Sequence, residues 1–151
     1  MAAAQSSVTQ KRTDQILQEI RIILPGTQAL LGFQFIAFFN TRFSQLPPGV
    51  QLYHLGNLLF TTLCAILLIT PVALHEIWET SRVTTVWVRF TKRLMNGAMF
   101  CLITGLAGDV FVAGQLIKNL RPWAEGAIAG AVWLVGIIMW FGLSFIYHHK
   151  Q

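Results

Sequence analysis

Polar and apolar positions divide this 151-residue chain into four long apolar blocks, at residues 22–39, 52–74, 94–117 and 126–147. A helix needs roughly 20 apolar residues to cross about 30 Å of hydrocarbon. The last three blocks reach that length, whereas the first is shorter and carries Pro25, Gly26, Gln28 and Gln34. Inside the blocks the apolar runs are continuous, as at residues 63–69 and 132–141. Strands of a membrane barrel would alternate instead. The pattern predicts an all-α membrane protein, with four transmembrane helices in a bundle that forms one domain over residues 1–151.

Two amphipathic segments flank the blocks. In the tail of residues 1–21 and just beyond it, Ile16, Leu17, Ile20, Ile23 and Leu24 make an apolar stripe that ends at Pro25-Gly26. Between the second and third blocks, Val83, Val86, Trp87 and Phe90 recur at i, i+3, i+4 and i+7, with Arg82, Arg89 and Arg93 on a neighbouring face and Lys92 beside them. An apolar stripe next to a basic one is the pattern of an interfacial helix on anionic lipid. A separate amphipathic helix is therefore expected in each segment, set against lipid, the inner end of the bundle or a partner protein.

Composition supports the membrane reading. Hydrophobic residues make up 54% of the chain and charged residues 11%, against about 25% charged in a soluble domain. The mean hydropathy is +0.58. The net charge of +5 is spread along the loops and mixed with apolar residues, so no nucleic-acid partner is expected. Eight basic residues (Lys11, Arg12, Arg21, Arg82, Arg89, Lys92, Arg93 and Lys150) fall on one side of the four blocks, and three (Arg42, Lys118 and Arg121) fall on the other. Basic loops stay in the cytoplasm, so both termini are expected inside. About twenty polar or amphipathic residues precede the first block, which reads as a retained anchor rather than a cleaved signal peptide.

Asp109 is the most unusual residue by position. At 1.5 Å per residue it lies roughly 5 Å to the outer side of its block's midpoint. A carboxylate at that depth costs about 2.5–3.5 kcal/mol on insertion scales and faces the protein interior or water. Gln34 lies at a similar depth in the first block, and Thr61 and Thr62 lie slightly outward of the middle of the second. A cluster of Asp109, Gln34 and Thr61 or Thr62 is expected to satisfy the carboxyl by hydrogen bonds. Such a cluster either locks helix packing or forms a proton or cation site in a transporter or channel component.

The remaining candidates point to less. His54 and His75 are 21 residues apart, about 31 Å along a helix, so they cannot share one ion. His75 and either His148 or His149 fall at similar depth, which makes a b-type haem electron carrier a third reading. Histidines at helix ends more often sit in the wet interface, and no resident cofactor is expected. Cys64 and Cys101 fall at different depths and are expected as buried free thiols. No HExxH, CxxC, Ser-x-x-Lys, Gly-x-Ser-x-Gly or phosphate-loop pattern occurs, so no enzyme is expected. Gly126 and Gly130 form a GxxxG, and Gly105 and Gly108 stud the third block. Small residues let helix backbones approach closely in lipid, within the chain or at a subunit interface.

The run Glu19-Ile20-Arg21, followed by Gly26, Gln28, Leu31 and Phe33, then Arg42-Phe43, Tyr53, and Pro71 with His75, resembles a family of small bacterial four-span membrane proteins without an established function. The resemblance covers roughly residues 15–117 and departs from the family's pattern at Glu76, where a basic residue often follows the histidine. It implies the four-span topology and no activity. Together these readings predict a bacterial inner-membrane protein that contacts the bilayer. It is expected to act as a structural or accessory subunit, with a membrane-protein partner or a second copy of itself.

Overall fold

The computed structural model describes residues 2–77, 85–117 and 121–142. They form α1 (Ala2–Phe38), a short 3-10 turn (Phe43–Gln45), α2 (Pro48–Ile77), α3 (Thr85–Gln115) and α4 (Pro122–Ile137), which runs on into a π-helical turn at Ile138–Gly142. All four helices contain stretches long and apolar enough to cross a membrane: Gln10–Phe38, Pro48–Glu76, Val86–Gln115 and Trp123–Gly142. Large apolar side chains point outward all along them, among them Phe33, Ile36, Leu52, Leu59, Val135 and Ile138. A surface of this kind suits hydrocarbon and not water.

The two amphipathic segments do not form separate helices. The first is the N-terminal part of α1, which continues unbroken through Pro25. A proline inside a helix removes one backbone donor, but lipid-embedded helices tolerate it where nearby Ser or Thr side chains adjust the local bonding. Here Thr27 Oγ1 donates to the Ile23 carbonyl at 3.3 Å. The stripe is also continuous with the rest of the helix, because Thr13, Ile20, Thr27 and Gln34 follow one another every seven residues and are all buried. One face thus serves the whole of α1. The second segment is the start of α3, where Val88, Thr91 and Met95 are buried while Val86 and Phe90 are exposed. Its inward face is therefore shifted from the stripe expected around Val86 and Phe90. Arg82 and Val83 lie outside the described residues.

The packing is built around α2 and α3. These two share the most extensive contact, α1 packs on α2 and more lightly on α3, and α4 rests on α3. Toward the end of the helices that carries the N-terminus, Ile16, Leu17 and Ile20 of α1 meet Cys64 and Leu68 of α2 and Val88, Met95, Ala98 and Cys101 of α3. Cys64 and Cys101 are both buried free thiols in this cluster. At the opposite end, the 3-10 turn tucks Phe43 and Leu46 against Val112. The rings of Phe38, Phe43 and His54 lie 5.0–5.1 Å from one another and close that end over the core.

Candidate functional site

Three helices bring polar groups to one level between these two apolar clusters. Gln34 comes from the sevenfold seam of α1. His54, Asn57 and Thr61 share a face of α2 at i, i+3 and i+7, and Asp109 comes from α3. Gln34 Nε2 donates to Asp109 Oδ1 at 2.9 Å and Oδ2 at 2.8 Å, and lies 3.1 Å from Thr61 Oγ1. Asn57 Nδ2 donates to Asp109 Oδ1 at 2.9 Å and to the Gly105 carbonyl at 3.0 Å. Thr61 Oγ1 gives its own hydrogen to the Asn57 carbonyl at 3.1 Å, which leaves its lone pairs to accept from Gln34.

His54 Nε2 is 3.0 Å from the Gln34 carbonyl oxygen. A carbonyl only accepts, so the hydrogen belongs to Nε2, and Nδ1 of the neutral ring is an acceptor. That Nδ1 and Gln34 Oε1 are buried without a hydrogen-bond partner. The side chains concerned are only 2% exposed each.

Glycines make this geometry reachable. A Cβ at Gly105 would come within 2.6 Å of Thr61 Oγ1, and one at Gly108 would collide with the Asn57 amide. Their missing side chains are what let α2 approach α3 closely enough for Asn57 to span from Gly105 to Asp109. Beside the cluster lies a cavity of about 220 Å³, lined by Gln34, His54 and Asp109 and otherwise by apolar groups of α1 and α3.

Gln34, Thr61 and Asp109 thus meet, but Thr62 does not join them. One residue advances a helix by about 100°, so Thr62 turns away and donates to the Leu58 carbonyl at 2.9 Å. His75 is half-buried, with its ring 6.5 Å from that of Trp87. His148 and His149 lie outside the described residues, and among the described residues no three His, Cys, Asp or Glu side chains gather as metal ligands would. Arg89, Lys92 and Arg93 are exposed.

Among the described residues, nothing packs closely on the GxxxG of α4. A Cβ at Gly126 or Gly130 would meet nothing within 4 Å, whereas one at Gly136 would strike Ile103 of α3. Gly136 lies about 120° round the helix from Gly130, so α4 leans on α3 with a different face. Gly126 and Gly130 instead line an open groove of about 320 Å³, with Tyr53 of α2, Phe111 of α3 and Trp133 of α4 itself.

Three polar residues are placed where depth alone does not point. Asn57 and His54 are legible only from their angular match to Thr61, at four- and seven-residue spacings on α2. Glu125, in the first turn of α4, is 6% exposed and accepts a hydrogen bond from Gln115 Nε2 of α3. Gly114 leaves room for its side chain.

The family described as DUF6328, a family of unknown function, matches residues 4–144. No curated protein and no solved structure matches the chain.

Proposed function

The chain belongs to this family of unknown function, and from that premise we propose that it is a non-enzymatic accessory or structural subunit of a membrane complex. The observation that carries the reading is the free face of α4. Only a small part of this helix is buried, and among the described residues its GxxxG opens onto a groove rather than packing on a neighbouring helix. Small-xxx-small faces serve close helix association in lipid. A partner subunit or a second copy of the chain would complete the contact. The placement is the bacterial inner membrane with both termini in the cytoplasm, where the exposed Arg89, Lys92 and Arg93 would face anionic headgroups.

Purification of the full chain in mild detergent tests this reading. A stoichiometric partner or a stable homo-oligomer is expected by native mass spectrometry, and a lone monomer would overturn the proposal. Gly130→Leu is expected to release the partner while leaving the isolated chain's stability within about 0.5 kcal/mol, the usual range for a substitution away from packed features.

The cavity beside Asp109 favours a second reading, a transporter or channel component with Asp109 in its pathway. Intramembrane carboxyls facing a cavity commonly mark such paths. In proteoliposomes, ion flux is then expected to fall at least tenfold in Asp109→Asn at equal incorporation, the order that loss of a charged contact brings. Unchanged flux would remove Asp109 from the path.

A further inference from the structure

We propose that the cavity beside Asp109 binds a primary alkylammonium ion, with the ammonium on Asp109 and the short carbon chain among Leu30, Phe33, Val112 and Leu116. The first reason is the balance of donors and acceptors. Asp109 has no Lys or Arg partner among the described residues; its hydrogen bonds come from the neutral amides of Gln34 and Asn57. Gln34 Oε1 and His54 Nδ1 add two buried, unpartnered atoms from side chains lining the same cavity. Gln34 Oε1 only accepts, and His54 Nδ1 accepts when the ring is neutral, with its Nε2–H on the Gln34 carbonyl. What the site lacks is a positive group rich in N–H donors, and a primary ammonium brings three.

The walls supply the second reason. Apart from the three polar side chains, the lining is Leu30, Phe33, Ala37, Val112, Ala113 and Leu116. A bare metal ion needs several oxygens around it. Here Asp109 is the one carboxylate in the lining, and beyond Gln34 and His54 the wall is carbon. An apolar tail gains from such walls.

Size and access agree with this choice. At about 30 Å³ per water-sized group, the cavity of about 220 Å³ holds about seven such groups, room for a four- or five-carbon amine and not for a drug-sized ligand. Phe33 and Ala113 are exposed, so the opening lies at the surface that hydrocarbon would cover. An amphiphilic amine reaches that surface by partitioning.

The inference deepens the transport reading and rests on the same carboxyl, yet binding and movement can be separated. Saturable binding with no flux in proteoliposomes would end the transport reading and leave the site standing. The probe is n-butylammonium chloride, titrated calorimetrically into the full chain in detergent, with potassium chloride and n-butanol as controls. One-to-one saturable heat is expected with the amine alone. Affinity is expected to weaken by roughly tenfold or more in Asp109→Asn, the scale of one lost charged contact. A similar loss is expected in Ala113→Phe, which fills the cavity from an exposed position and replaces none of the hydrogen-bonded side chains. No saturable heat, equal heat with potassium chloride or n-butanol, or wild-type affinity in Ala113→Phe would each overturn the proposal.

Discussion

Gly108→Val is expected to lower the stability of the chain by roughly 3 kcal/mol, while Gly130→Val in the isolated chain is expected to cost almost nothing. The two substitutions add the same atoms to a glycine in a membrane-spanning helix, so helix propensity differs little between them, but Gly108 is buried and Gly130 is exposed. Surroundings decide the result. The first new methyl at Gly108 lands on the Asn57 amide, whereas nothing stands within 4 Å at Gly130. Asn57 cannot swing aside freely, because its Nδ2 holds both the Gly105 carbonyl and Asp109. Relief of the clash therefore means losing those two bonds or separating α2 from α3 along their whole contact. Reversible unfolding in mixed detergent micelles, followed by far-UV circular dichroism, gives both values. Equal losses at the two positions would refute the close approach of α2 and α3.

Gln34→Leu is expected to cost about 2 kcal/mol or more, and the loss should largely vanish when Asp109→Leu is added. Hydrogen bonds between membrane helices average only about 0.6 kcal/mol, so the bond itself is a minor part. The larger part is the carboxyl left with fewer donors in a dry site. Removing both partners eliminates that penalty, since two leucines meet as apolar surfaces. The same unfolding assay on the two single variants and the double variant yields the coupling energy, expected at about 1.5 kcal/mol or more. Additive losses would mean that Gln34 and Asp109 do not sense each other.

Depth and angle explain which parts of this molecule are legible in the sequence. Four blocks of sufficient length foretell four long apolar helices, because the length of a span is fixed by the bilayer and the helical rise. Depth likewise puts Gln34, Thr61 and Asp109 at one level. It is silent about direction, and so it treats Thr61 and Thr62 alike although they lie about 100° apart. Asn57 needs the angular reading as well, and His54 looks like an interfacial histidine until Phe43 folds over it. Pro25-Gly26 looks like a stop because proline ends helices in water. In α1 the same buried seam continues on both sides of it, and packing against α2 and α3 holds the helix together. The GxxxG of α4 is visible as a motif, but which face a helix turns to its neighbour depends on contacts such as Gly136 with Ile103, which no spacing rule supplies.

The sevenfold seam of α1 has a consequence for sliding. Side chains of similar size packed every seven residues, as at Thr13, Ile20 and Thr27, can fit again after a shift of one repeat, about 10.5 Å along the axis. Such a shift would bring Thr27 in place of Gln34 opposite Asp109, and a shift of two repeats would bring Ile20. A threonine offers one hydrogen and an isoleucine offers none, while the two hydrogens of the Gln34 amide are shared between the two carboxylate oxygens and Thr61 Oγ1. Asp109 therefore acts as a vernier mark, fixing α1 at one height in a seam that its sevenfold spacing alone would leave free to slip.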